Sequence, residues 1–515
     1  MTLEKATNSQ FFVKTLDNFI GGLNTIDSTL SMPENKLRIA KNVLYETTGE
    51  VRSIFGFKQL GNDITVNSLP ATKILGGVKF NNTFYLMASN GVVARLVYYN
   101  VAGGNIWSEI DLLAPTNFDK DAETHFSVYQ NKLWFVNGKT TGGNILHFLD
   151  TSHAITGLST TTGLEAGINR ICLHLERIWI SKGNKIFISK QYPVGDANDW
   201  DAGSVYSGSN TAGVIQLDDN TEDEILQMVT QFGQLVVFRK ESIHVVSGHT
   251  ILNSTIQKAF NARGVFAHRS ISRADANIYF MSNEGVKVFS GVTVMEAKTE
   301  VDNISTVTID RDIRPTIDAL SNRADLCGFA FRDRYYLGSA SNIFVYDEIA
   351  KGWSLINFTG ADMFLEKDNK IYAIKENKVL ELDVDETSDI DSEIRTKDFT
   401  FNYDIVQKVF EKIIVYFRKR PASSQVEVAW YINGGTGASG LVTETITSSS
   451  VKWDGLYKWD GAVKWSSVTI NFQKILKRKL KSGLTISFGV KASGANRFFL
   501  NSINVIFDLI KREVH

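Results

Sequence analysis

GGVKFNNTFYLMASNGVVARLVYY, residues 76–99, reads as a strand, a tight polar turn, a strand, a second polar turn and a third strand. The same pattern returns in FSVYQNKLWFVNGKTTGGNILHFL (126–149), RICLHLERIWISKGNKIFISK (170–190) and MVTQFGQLVVFRKESIHVVSG (228–248). It continues in SISRADANIYFMSNEGVKVFSG (270–291), GFAFRDRYYLGSASNIFVYD (328–347) and MFLEKDNKIYAIKENKVLELD (363–383). The second strands begin near Phe84, Leu133, Ile178, Leu235, Ile278, Tyr335 and Ile371. Their mean spacing is roughly 48 residues, close to the ~40–50 residues of one propeller blade. Spacings from about 36 to about 57 residues imply loop insertions of unequal length. Ordinary β-meanders in a sandwich are the alternative.

Outside these repeats, one stretch carries helical signals. ENKLRIAKNVLYE (34–46) follows Pro33 and places Leu37, Ile39, Ala40, Val43 and Leu44 near helical spacing, which predicts a helix. DVDETSDIDSE is acidic and lacks aromatic residues, as a linker does. Beyond it, FTFNYDIVQKVFEKIIVYFRKRP, SQVEVAWYING, LTISFGVKAS and FFLNSINVIFDLI read as longer alternating strands. The expected fold is therefore all-β: a six- or seven-bladed β-propeller over 61–383, preceded by a mixed N-terminal segment (1–60). An acidic linker (384–393) and a β-sandwich-like C-terminal domain (394–515) follow it.

With 515 residues, 43% of them hydrophobic, the chain can build two or three packed domains. A formal net charge of −1 argues against a general nucleic-acid binder. Cys172 and Cys327 are the only cysteines and suit neither a disulfide framework nor a zinc site. No signal sequence and no transmembrane span is visible.

Catalytic signals are weak. The eight histidines are scattered without a metal-ligand spacing. LDDNTEDE (217–224) reads as a solvated acidic loop, and DVDETSDID departs from a calcium loop at Ser388 and Ile394. No catalytic group, cofactor or metal is expected. The basic runs FRKRP and KILKRKLK supply Arg418, Lys419, Arg420, Lys477, Arg478 and Lys479 as candidate phosphate contacts. VKWDGLYKWDGAVKWSS (451–467) repeats tryptophan every six residues. Trp453, Trp459 and Trp465 are candidates for a subunit interface, where tryptophan is a frequent hot spot. A local aromatic cluster that stiffens a loop is the alternative.

Several stretches together resemble one family. NFIGGLNTIDSTLSMPENKLRIAKNVLYETTGEVRSIFGFKQL (18–60) is similar to the opening of certain virion proteins of tailed bacteriophages. The matching residues are Gly21, Gly22, Leu23 and Asn24, then Pro33, Asn42 and Val43, then Gly49, Val51, Arg52, Gly56 and Phe57. ISKQYPVGDANDWD (188–201), VVFRKESIHVVSG (236–248) and RGVFAHRSISRADANIYFMSNEGVKVFSG (263–291) continue the likeness, and KWDGLYKWDG extends it. The chain thus resembles the tail hub or nozzle β-propeller proteins of short-tailed phages, the packaged-DNA stabilisation type. The resemblance implies a homo-oligomeric ring, most often a hexamer, below the portal and its adaptor. Packaged DNA would pass through its channel without sequence-specific binding, and other tail proteins would attach to it. The expected location is the virion tail, assembled in the host bacterial cytoplasm. A glycan-binding or glycan-cleaving propeller acting as a receptor-binding protein is the alternative.

Overall fold

The computed structural model describes residues 11–110, 118–138, 144–159, 164–190, 200, 212–218, 222–248, 254–258, 264–290, 306–384, 387–418, 424–446, 471–477 and 482–510. Seven antiparallel four-stranded units are arranged as blades, so the propeller has seven of them. Their inner strands are Lys73–Phe80, His125–Tyr129, Arg170–His174, Ile225–Gln231, Ala267–Ala274, Cys327–Phe331 and Met363–Lys367. Each inner strand touches the next, and the seventh touches the first, which closes the ring. Glycines permit the closest approaches. A Cβ on Gly76 would lie 2.0 Å from the Thr124 carbonyl oxygen, and one on Gly328 would lie 2.3 Å from that of Ser270.

The second strands explain why the sequence repeats are so apolar. Such a strand is covered on both faces by neighbouring blades, so its residues alternate between two interfaces. Trp134 and Val136 of blade two pack towards Ile178 and Ile180 of blade three. Leu133 and Phe135 of the same strand pack towards Tyr85 and Met87 of blade one. Equivalent clusters fill the remaining interfaces. Inner hairpins turn through paired positive-φ residues, such as Asn81-Asn82 and Asp368-Asn369, which suits their right-handed twist. Leu175 and Glu176 take the same conformation without a favourable side chain, and the Tyr129 hydroxyl donates to the Glu176 carbonyl at 2.6 Å.

Blade seven is completed from far away in sequence. Its outer strand, Phe57–Gln59, pairs antiparallel with Lys378–Leu382. The residues before it enter a sandwich built with the C-terminal strands. One layer holds Lys408–Arg418 and Phe499–Leu509 together with Phe12–Leu16, Val43–Tyr45 and Val51–Ser53. The other holds Lys36–Lys41, Ser392–Thr396, Ser424–Ile432 and Ile486–Ala492. This second layer is continuous with blade six, because Lys41 pairs in parallel with Leu355. Ile413, Ile503 and Phe488 of the sandwich share one hydrophobic cluster with Tyr279 and Tyr335 of blades five and six. The sandwich is therefore packed onto the propeller through a common core.

The helix expected over 34–46 is not formed; these residues make the strands Lys36–Lys41 and Val43–Tyr45. A register shift between Leu37 and Ile39 puts buried Leu37 and Ala40 three residues apart, which imitates helical spacing. Asn42, at φ 54°, then turns the chain between the two strands.

Candidate functional site

The propeller axis gathers ionisable side chains from several blades. Glu123 lies two residues before His125, where the inner strand of blade two begins. Arg170 opens the inner strand of blade three, and His268 and Arg269 lie in that of blade five. An irregular register between Ala267 and Ser272 takes His268 and Arg269 out of the regular ladder. Bulges of this kind re-aim side chains. The Ser270 hydroxyl holds the distortion, donating to the Ala267 carbonyl and accepting from the Met281 amide at 2.7 Å.

The groups converge on one carboxylate. Oε1 of Glu123 accepts from Nε of Arg269 at 2.7 Å, and Oε2 is paired with Nε2 of His268. Nε2 of His125 lies 3.6 Å and Nη2 of Arg170 4.0 Å from the same Oε2. Burial alone would raise the Glu123 carboxyl, but the two imidazoles and Arg269 hold it well below the usual carboxylate range. Burial pushes His125 down to about 3, and the Arg170 charge acts in the same direction. Burial also lowers Arg170. Glu123 is thus a permanent anion and His125 a neutral imidazole near neutral pH. Neither is poised as a general acid at that pH. The arrangement is an electrostatic latch across the axis.

Two cavities adjoin the latch and share Glu123, Arg269 and Asp362. One, of about 380 Å³, is lined by polar groups including Lys73, Asn322, Asp325 and Lys375. The other, of about 250 Å³, is lined by Thr124, Gln227 and several apolar side chains. Asp362 is committed to the Lys375 ammonium and to the Glu376 amide, each at 2.9 Å. Among the described residues no His, Cys, Asp and Glu group is arranged to hold a metal ion. Cys172 and Cys327 are free, and burial raises their thiols to about 11 and about 12.

The residues singled out in the sequence lie elsewhere. Arg418 ends a sandwich strand, 3.1 Å from the Glu50 carboxylate and 4.7 Å from the centre of the Phe499 ring. Lys477 pairs along the backbone with Lys412. Lys419, Arg420, Arg478, Lys479, Trp453, Trp459 and Trp465 fall outside the described residues. Trp134, Trp179, Trp353 and Tyr372 are all buried in blade interfaces, so none offers an open ring face to a sugar. The acidic stretch 217–224 is not simply solvated. Asp223 is buried, 3.4 Å from the fully buried Arg239, and Asp218 reaches the same guanidinium at 2.5 Å.

Three residues of the 18–60 stretch that carries part of the phage resemblance, Gly22, Asn42 and Arg52, sit at joints between the propeller and the segments that build the sandwich. A Cβ on Gly22 would meet the Gly352 and Trp353 backbone at 2.5 Å. Asn24 is buried and accepts from the Ile26 and Asp27 amides. Asn42 donates to the Asp391 carbonyl at 2.8 Å and to Oδ1 of Asn357 at 2.7 Å, and accepts from the Asn357 amide. Arg52 grips Asp383 with two hydrogen bonds, of 2.9 and 2.6 Å, and Glu46 with a third.

Comparison of the sequence with protein-family profiles and with curated proteins gives no match. Solved structures do match. The Pan2 WD40 domain of Neurospora crassa shares 10% identity, covering 64% of this chain and 96% of that one, at a TM-score of 0.40. An exo-β-1,3-galactanase from Phanerochaete chrysosporium shares 12%, covering 87% and 100%, at 0.29. AztD from Citrobacter koseri shares 9%, covering 62% and 89%, at 0.34. The seven blades define the fold without these likenesses.

The axial cluster was not singled out in the sequence. A signal for it exists, because DAETHFSV, NRICL and AHRSIS each place charged residues just before or within the start of an inner strand. Aligning the repeats at their inner strands would have placed Glu123, Arg170 and Arg269 around one ring.

Proposed function

We propose that this chain is a structural virion protein of a tailed phage, forming a ring at the tail hub or nozzle below the portal and adaptor. One observation supports the reading beyond the motif order. Gly22, Asn42 and Arg52, which belong to the resemblance, all serve as joints of the fold. A chain whose two ends are tied together and fused to a propeller core suits a wall that bears load. In this reading DNA passes through the lumen enclosed by the ring. It does not thread the propeller axis, which the Glu123–Arg269 pair crosses. A near-neutral chain keeps that lumen from gripping a polyanion. The ring is expected to contain six copies and to help retain packaged DNA, with no enzymatic step.

Electron microscopy of the purified chain, with light scattering for mass, tests the ring. Mass spectrometry of purified virions tests its location. A closed ring and a tail-associated chain are expected. A chain that stays monomeric at all concentrations and is missing from virions would end this reading.

A further inference from the structure

The latch is also a partition. Glu123, Arg269 and Asp362 line both the basin of about 380 Å³ and the chamber of about 250 Å³, so the two cavities meet across these side chains. The Glu123 carboxylate has little capacity left. Oε1 takes Arg269, Oε2 takes His268, and the Arg170 guanidinium stands 4.0 Å from Oε2. Nε2 of His125 lies 3.6 Å from that same oxygen, is buried and makes no hydrogen bond among the described residues. A proton added there meets a carboxylate already shared by three groups, with the Arg170 charge opposing it. Around the latch stand Lys73 of blade one, Glu224 before blade four and Asp325 before blade six, with Asp362, Lys375 and Glu376 of blade seven. Glu224 acts on Arg170, and Asp362 is committed to Lys375. Asp325 and Glu376 are exposed, so water and salt screen them.

We infer that the latch is an acid-opened gate on the propeller axis, shut while the His125 ring is neutral and parted when that ring takes up a proton. Opening joins the basin to the chamber and admits water and small solutes. The moving part is the bulge. The irregular register between Ala267 and Ser272 leaves His268 and Arg269 outside the regular ladder, so they swing without breaking a strand pair. The direction follows from solvation. In the closed site burial and the Arg170 charge hold His125 at about 3, whereas in a water-filled site it titrates near 6.5. The preference for the closed form is therefore complete above about pH 6.5 and falls by up to about tenfold per pH unit as the pH drops towards 3. This device belongs to the axis and does not rest on the virion reading.

Cys327 reports on the gate. It lines the chamber, is 3% exposed and lies within electrostatic reach of Asp362 and Arg269. In a full chain carrying Cys172→Ser it is the only thiol. Its protection is read as the rate of modification by 4,4′-dithiodipyridine relative to that of free cysteine. Protection is expected to fall about tenfold between pH 6.5 and pH 5, while far-ultraviolet circular dichroism stays constant. Adding Glu123→Gln should lower protection to a similar extent already at pH 7. Adding His125→Gln should keep protection at pH 7 and flatten its pH dependence. Protection that stays level from pH 6.5 to pH 5 in the Cys172→Ser chain overturns the inference, whether or not the further variants fold. A fall that runs in parallel with loss of the circular dichroism signal is unfolding, and overturns it too. The same fall in the His125→Gln chain removes His125 as the trigger and overturns it equally.

Discussion

Glu123 and Arg269 belong to blades two and five, which are not neighbours, yet their side chains meet at 2.7 Å across the propeller axis. The pair acts as a tie-bar between opposite sides of the ring. Removing the carboxylate takes away the charge that Arg170 and Arg269 share and leaves their mutual repulsion, with Glu224 the acidic neighbour still acting on Arg170. Glu123→Gln is therefore expected to lower stability by about 2–4 kcal/mol. Calorimetric unfolding should show the loss as a fall of several degrees in Tm. An unchanged Tm would mean that the inner strands alone hold the ring.

Stability should also fall in mild acid. Burial holds His125 at about 3 and His174 at about 4, and it lowers His244. The unfolded chain takes up these protons near pH 6.5, while the folded chain resists until far lower pH. The stabilisation is complete above about pH 6.5 and is lost as pH falls towards 4, by about 1.4 kcal/mol per pH unit for each fully shifted histidine. Denaturant titrations at pH 7.5, 6 and 5 measure the slope, and His174→Gln should flatten it. Equal stability at all three values would contradict the burial of these rings.

Asn42 has two separable roles, a left-handed backbone at φ 54° and an amide joining blade six to the sandwich. Asn42→Gly keeps the first and loses the second; Asn42→Ala loses both. Alanine should cost about 1 kcal/mol more than glycine. Each should lower stability by about 2 kcal/mol or more through the unmatched buried groups. Chemical denaturation of both variants checks the order, and a glycine variant weaker than the alanine variant would refute the backbone role.

The tryptophan repeat calls for an assembly assay. Replacing Trp453, Trp459 and Trp465 with alanine should leave the propeller's circular dichroism unchanged yet abolish ring formation, since a hot-spot tryptophan is worth about 2 kcal/mol or more. Normal assembly of the triple variant, seen by light scattering, would assign the repeat to local packing.

The blades were legible because each second strand is sealed on both faces, so LWFV, IWIS and LVVF announce themselves as unbroken apolar runs. The fourth strand was legible in few blades, because outside blade six, whose Gly352–Ile356 is mostly buried, it is short or partly exposed. Thr306–Thr308 has three residues, two of them exposed. The sandwich's second parentage was equally hidden. Nothing local in KLRIAK says that it pairs with residues near 394, and its bulge disguised a strand as a helix. The axial site depends on residues far apart in sequence, and only ring closure brings Glu123 to Arg269. Asp223 looked solvated for the same reason, because its partner Arg239 comes from the next hairpin.

Phe12 pairs with Phe507, and Phe57 pairs with Leu382. During synthesis the first strands must therefore wait for almost the whole chain to leave the ribosome. At about 5–20 residues per second that delay is on the order of 25 to 100 s. Throughout it Phe12–Leu16 has no partner, and an exposed strand edge of this kind recruits other chains. Blades one to six can close one after another as they emerge, but the ring and the sandwich lock only when the last strand arrives. Aggregation during expression should therefore depend on translation speed and chaperone supply more than on the stability of the finished fold.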